Sequence, residues 1–151
     1  MCIQNKIKAA GLKVTPQRKL IYEIMQELGH SSIDELIARV KMRNADMTVS
    51  TVYRIVDSFY QVGLLSKFID PSGKTIFDIR VGDHHHIFTA EDTIKDLEDD
   101  QLTEMIRQRL TAKIPVHEEI DRISIHIITK LNTNQDGKEK TDIGKRPPYS
   151  G

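Results

Sequence analysis

The chain has 151 residues, 38% hydrophobic and 29% charged, and its 22 basic and 22 acidic side chains give a formal net charge of zero. It has no apolar run near the roughly 18 residues that a membrane-crossing helix needs, and residues 1–6 do not lead into a signal-peptide core, so we expect a cytoplasmic protein that makes no membrane contact. A single cysteine, Cys2, excludes an intramolecular disulfide.

The first third of the sequence predicts two capped helices. Thr15 offers a capping hydroxyl, Pro16 suits the first helical position, apolar residues follow at helical spacing, and Gly29 ends the helix. Ser32 and Glu35 then have the spacing of a capping box, which predicts a second helix.

A third helix and a hairpin follow. The helix should begin near residues 48–50 and end around Gly63. Two β-rich runs, 65–69 and 75–79, flank the turn residues 70–73, which predicts a β-hairpin. Helices followed by a hairpin indicate a winged helix.

The second half predicts a small α/β region. We expect strands over 84–89 and about 93–97, a helix starting at the acidic residues 98–100, and a strand over 122–129 with one apolar face. The polar stretch 132–151 predicts a disordered tail.

The third helix is a candidate DNA-reading helix, because its core positions leave polar residues facing outward near its N-terminus. Residues 1–80 hold 12 basic and 8 acidic side chains, whereas residues 81–151 hold 10 and 14, as expected for a polyanion-binding module joined to a cation-attracting one. The candidate DNA contacts are Lys13, Arg18, Ser50, Thr51, Tyr53 and Arg54.

A run of histidines predicts a metal site. On a strand, His84 and His86 share one face while Asp83 and His85 share the other, and two imidazoles at this spacing can hold one ion. The candidate partners are His30, Asp78 and Asp96, a donor set that suits Fe(II), Mn(II), Co(II) or Zn(II). A possible second site would combine Asp83 and His85 with Glu104, His117 or His126.

Four motifs, in this order and spacing, resemble the ferric uptake regulator superfamily: GLKVTPQR (11–18), STVYR (50–54), GKTIFD (73–78) and DHHH (83–86). The resemblance runs over roughly residues 6–130. It implies an α+β fold with a winged-helix DNA-binding domain at 1–81, a hinge near Val81 and Gly82, and an α/β dimerisation and metal-sensing domain at 82–131.

The resemblance also implies the sensor site and its action. Family members carry their metal on residues that fall here at His30, Asp78, His84, His86 and Asp96, so ligands from both domains would turn binding into a change of inter-domain angle. The implied protein is a dimeric repressor that binds an inverted-repeat operator, with Fe(II) or Mn(II) as sensor metal and Zn(II) as a further ion found on purification. Aspartates at 78 and 96 resemble the peroxide-sensing branch, in which bound Fe(II) reacts with peroxide and a ligating histidine is oxidised.

The chain departs from the family's common pattern at its structural zinc site. Most relatives follow the histidines with two Cys-x-x-Cys pairs, but here residues 89–92 take the place of the first pair and no second pair exists. Sulfur-bound structural zinc is therefore excluded. The family histidine expected just before the last strand is also missing, with Arg122 or Ile123 in its place.

Other functions remain open at the level of sequence. The same fold could sense haem or another divalent metal such as Zn(II), although the chain lacks a Cys-Pro pair. Histidines and carboxylates can also activate water on zinc, as in a hydrolase, but no general base stands beside the cluster, so we predict that the chain is not an enzyme. A third alternative is a metal-binding interaction protein, for which changing Tyr53 and Arg54 to alanine would leave function intact.

Overall fold

A computed structural model describes residues 1–133 and divides the chain into two compact units, residues 1–81 and residues 82 onward. The predicted tail, 132–151, lies outside the described residues except for its first two positions. In the part described, no helix is both long and apolar enough to span a bilayer.

The first unit is a winged helix. It contains α1 (Ile3–Ala9), α2 (Pro16–Leu28), β1 (His30–Ser32), α3 (Ile33–Arg43), α4 (Val49–Gln61), β2 (Ser66–Ile69) and β3 (Thr75–Asp78).

Hydroxyl caps start the three longer helices of this unit. The side chains of Thr15, Ser32 and Thr48 each accept a hydrogen bond of 3.2 Å from the backbone N–H three residues later. Gly29 ends α2 with φ at +76°, a conformation that glycine adopts without steric cost. The predicted starts of these helices are therefore confirmed.

The core of the first unit lies where the helices meet. Tyr22 of α2 and Phe59 of α4 pack edge to face with ring centroids 5.8 Å apart. The fully buried side chains around them include Ile7, Ile21, Met25, Leu36, Val40, Val52 and Leu65.

The wing is a three-stranded antiparallel sheet in the order β1-β3-β2. The predicted hairpin forms β2 and β3, and β1 adds a strand that the sequence analysis missed. His30, a candidate metal ligand, lies on this added strand directly across from Asp78 of β3.

The second unit contains a small mixed sheet and one helix: β4 (His85–Phe88), β5 (Ile94–Leu97), α5 (Asp100–Thr111) and β6 (His126–Ile128). The sheet order is β5-β4-β6, with β5 antiparallel and β6 parallel to β4. The predicted strand over 122–129 is thus reduced to three residues, because the backbone joins the sheet only alongside β4.

Candidate functional site

The side chains of His84 and His86 lie together beside the first residues of β4. Their ring centroids are 4.6 Å apart, and both residues are more than nine-tenths buried. His85 projects to the other side and bonds to α5. This is the alternation that an extended backbone imposes.

Asp96 joins the two histidines through strand register. It pairs directly with His86 across β4 and β5, so its side chain lies on the same face. Its Oδ1 is 3.5 Å from His86 Nε2 and 3.9 Å from His84 Nε2. The ligand atoms of all three residues lie within 4.8 Å of one another, which is compatible with one ion.

The tautomer of His84 is suited to metal binding. Its Nδ1 is 2.8 Å from the carbonyl oxygen of Gly82, and a carbonyl only accepts, so Nδ1 carries the proton. In the neutral ring the lone pair is then on Nε2, which faces Asp96. A metal-ligating histidine commonly donates its other N–H to a backbone carbonyl in this way, so the residues present fit a divalent cation.

His30 and Asp78, the other two predicted sensor residues, lie in the first unit. They face each other in register across β1 and β3. Asp78 is fully buried, and its Oδ1 accepts a 2.8 Å hydrogen bond from the backbone N–H of Arg80. A buried carboxylate needs a compensating charge or hydrogen bonds to remain ionised.

The residues predicted for a second metal site do not gather around one point. Among residues 1–133, no group of three metal-competent side chains forms from Asp83, His85, Glu104, His117 and His126. His117 is 79% exposed and its Nε2 is 3.7 Å from Glu118, whereas Asp83 and Glu104 both face Arg107.

His85 makes two hydrogen bonds inside the second unit. Its Nδ1 accepts from the backbone N–H of Ile125 at 3.1 Å, so the neutral ring carries its proton on Nε2, which donates to Thr103 Oγ1 at 2.6 Å. Burial, followed by the nearby charge of His84, lowers the pKa of His85 and favours this neutral form.

The N-terminal turn of α4 presents the predicted DNA contacts in two different ways. Tyr53 is 50% exposed, and Arg54 is exposed beside it. The hydroxyls of Ser50 and Thr51, in contrast, lie 3.1 and 2.9 Å from Thr48 Oγ1. They belong to the capping network that fixes the start of the helix.

Val49 is an exposed residue of this turn that the sequence analysis did not single out. It is 43% exposed and lies one helical turn before Tyr53, so the two side chains share a face. The i, i+4 spacing was the signal that could have identified it.

Arg18 is held by the backbone of the loop before α2. Its Nη1 donates a 2.6 Å hydrogen bond to the carbonyl oxygen of Lys13, whose side chain is exposed. Arg18 therefore shapes the loop that carries Lys13.

Known proteins resemble this chain in sequence and in fold. Residues 9–120 match the ferric uptake regulator family. The ferric uptake regulation protein of Vibrio cholerae is 27% identical over 142 residues, covering 92% of this chain and 93% of that protein. That of Bordetella parapertussis is 33% identical over 87 residues, and this match spans 56% of the chain and 63% of the relative.

Solved structures agree with these matches. The crystal structure of the Vibrio cholerae ferric uptake regulator superposes with a TM-score of 0.70 at 25% identity, covering 85% of this chain and 98% of that one. The Campylobacter jejuni peroxide stress regulator, at 24% identity, shares the fold with a TM-score of 0.66 over 89% of this chain and 99% of its own.

Proposed function

The chain belongs to the ferric uptake regulator family of metal-dependent transcriptional regulators, and we propose that it is a repressor whose operator binding requires a divalent ion at His84, His86 and Asp96. Regulators of this family bind DNA and generally form dimers. As part of this proposal, we assign DNA binding to residues 1–81, and metal sensing and dimer formation to residues 82–131.

The proposal rests mainly on the tautomer of His84. Two buried imidazoles and a carboxylate meet on one face of the sheet, and the proton on His84 Nδ1 is held by the carbonyl oxygen of Gly82, which directs the Nε2 lone pair toward Asp96 Oδ1. A lone pair and a carboxylate oxygen repel each other at this distance unless a proton or a cation lies between them. A bound cation would supply that charge.

We propose that His30 and Asp78 provide the remaining ligands. They are paired across β1 and β3, and the first unit holds a fully buried carboxylate at Asp78. Donors from the wing and from β4 would make the orientation of the two domains depend on the ion, which is how occupancy would control DNA binding.

The DNA-binding part of the proposal relies on α4. Exposed Tyr53 and Arg54 are suited to contact bases, since arginine can pair bidentately with guanine and tyrosine can touch a thymine methyl. Lys13 is exposed and suited to a phosphate. Ser50, Thr51 and Arg18 would act on DNA by fixing the helix start and the preceding loop.

The dimer is proposed to form on the second unit. All three residues of β6 are exposed, α5 contributes no buried residue to its own unit, and Met105 and Ile128 are each 66% exposed. Large apolar side chains exposed on an edge strand and on a helix of the same unit are typical of a surface that a second copy covers.

The test is operator binding with and without metal. Fluorescence anisotropy with an inverted-repeat operator should show that chelator-treated protein regains binding on addition of Mn(II), and that His84→Ala/His86→Ala does not. His117→Ala, which removes an exposed imidazole, is the matched control and should bind as the wild type does. Metal-dependent binding by the double variant would refute the proposal.

The signal is proposed to include peroxide, because aspartate rather than glutamate stands at 78 and 96. A peroxide pulse should abolish operator binding of the Fe(II)-loaded protein and leave the Mn(II)-loaded protein active, since oxidation needs the redox-active metal. Asp96→Glu should protect the Fe(II)-loaded protein. Equal resistance of the Fe(II)- and Mn(II)-loaded forms would instead favour a sensor of iron level.

A further inference from the structure

Arg107 of α5 contacts three separate segments of the second unit. Its Nη2 is 3.8 Å from Asp83 Oδ2, just before β4, and its Nε is 3.9 Å from Glu104 Oε2 on its own helix. Its Nη1 donates a 3.0 Å hydrogen bond to the carbonyl oxygen of Ile120, in the chain that leads to β6. One guanidinium therefore connects α5 to the segment before β4 and to the segment that leads to β6.

The hydrogen bond to Ile120 is the strongest of these contacts. The two ion pairs are long and partly exposed, and such pairs contribute little individually. A hydrogen bond from a charged donor to a carbonyl contributes more, and the planar guanidinium can make it while it faces both carboxylates.

His85 and Thr103 form a second connection between the same elements. Thr103 Oγ1 accepts from His85 Nε2 and donates to the carbonyl oxygen of Asp99 at 3.0 Å, while His85 Nδ1 accepts from Ile125. Both ring nitrogens and the hydroxyl are thus used in a way that matches their donor and acceptor capacity. This chain of bonds ties β4 to α5 and to the entry of β6.

These are the groups that a second cation would need. The Nδ1 lone pair of His85 accepts from the backbone N–H of Ile125, so a metal bound there would break that bond and leave a partly buried donor without its acceptor. Asp83 and Glu104 already face a positive charge, which would repel an incoming cation. The chain's one thiol, Cys2, lies in the first unit.

We propose that Arg107 takes the place of a second metal ion, so that the second unit keeps its fold without any metal and each chain binds one divalent ion. The number of ions per chain depends on the proposed sensor site, but the metal-independent fold does not. The side chains that hold the fold, Arg107, His85 and Thr103, are then separate from the side chains that sense the ion.

The fold is tested by hydrogen exchange at the Ile125 amide, because that N–H donates to His85. In the full-length wild-type chain, we expect the same exchange rate with excess EDTA as in chelator-free buffer. Arg107→Met should accelerate exchange about tenfold. Loss of one hydrogen bond should raise the equilibrium constant of the local opening that exposes the amide by about this factor. Arg109→Met, an exposed arginine on the same helix, should not.

The number of ions is tested by titrating chelator-treated full-length protein with Zn(II) and with Mn(II). We expect one tightly bound equivalent per chain, lost in His84→Ala/His86→Ala and retained in Glu104→Gln. A second equivalent that disappears in Glu104→Gln would overturn the proposal. So would faster Ile125 exchange in EDTA, or equal exchange rates in the two arginine variants.

The two proposals fail in different ways. Binding of no ion at all would refute the sensor site, whereas unchanged Ile125 exchange in EDTA would still support the metal-independent fold. Should Arg107→Met fail to fold, the wild-type measurement with and without EDTA decides the proposal.

Discussion

Two adjacent histidines, His84 and His85, differ in their chemistry because their ring nitrogens face different backbone groups. His84 donates from Nδ1 and keeps its Nε2 lone pair toward Asp96, whereas His85 accepts at Nδ1 and donates from Nε2. Imidazole is nearly symmetric as a free group, so these opposite tautomers are set by the neighbouring carbonyl and amide. One tautomer suits a metal ligand and the other a structural hydrogen bond.

Asp96 is the residue at which the loss of a single charge should be most informative. Asp96→Asn removes the carboxylate that faces both imidazoles, and we expect the affinity for Mn(II) to fall at least about tenfold. A competition titration with a chelating dye measures this. Asp92→Asn, at an exposed acid in the turn that joins β4 and β5, is the control, and equal affinities in the two variants would exclude Asp96 as a ligand.

The shared face of His84 and His86 could be predicted from alternation alone, and Asp96 could be proposed because it lies on the neighbouring strand. The partners of His85 could not be predicted. Thr103 and Ile125 are 18 and 40 residues away, and only the packing of α5 and β6 against β4 brings them to the ring.

Among the helices and strands, α2, α3 and α4 were predictable because of their capping residues. Thr15, Ser32 and Thr48 are each followed by an apolar stripe of helical period. Two elements were missed because they lack such signals. β1 is only three residues long and contains two serines, and α1 spans barely two turns with Ile7 as its one buried residue.

Thr48 is the residue through which the start of α4 can be tested. Thr48→Ala removes the cap and the anchor of the Ser50 and Thr51 hydroxyls, so we expect about 1 kcal/mol lower unfolding free energy and weaker operator binding. Urea denaturation and fluorescence anisotropy measure the two effects. Thr48→Ser keeps the hydroxyl and should restore both, and identical behaviour of the two variants would refute this role.

The two units differ in charge, whereas both expose large apolar side chains. Residues 1–80 carry the basic excess, and exposed apolar residues include Met42 in the first unit and Met105 and Ile128 in the second. The charge offset agrees with DNA binding by the first unit. The charge offset and an apolar face on the last strand were readable from the sequence, but not that all three residues of β6 are exposed.

Self-association can be tested with two matched charge insertions. Ile128→Glu places a carboxylate on β6, where a second copy would bury it, so we expect at least about tenfold weaker dimerisation by analytical ultracentrifugation. Met42→Glu makes the same kind of change at an 82% exposed residue of the first unit and should leave the dimer intact. Dimerisation of the Ile128 variant at wild-type strength would place the interface elsewhere.

One face of β4 carries a proposed metal ligand and the other face packs against the rest of the unit, so the spacing of residues within the strand cannot change. Adding one residue between His84 and His85 would turn every following side chain to the opposite face. His85 would then point where the ion binds, and His86 would point into the packed interior. An insertion or deletion of one residue within the strand would therefore abolish sensing and folding together, so the turns around β4 can vary in length but the spacing inside the strand cannot.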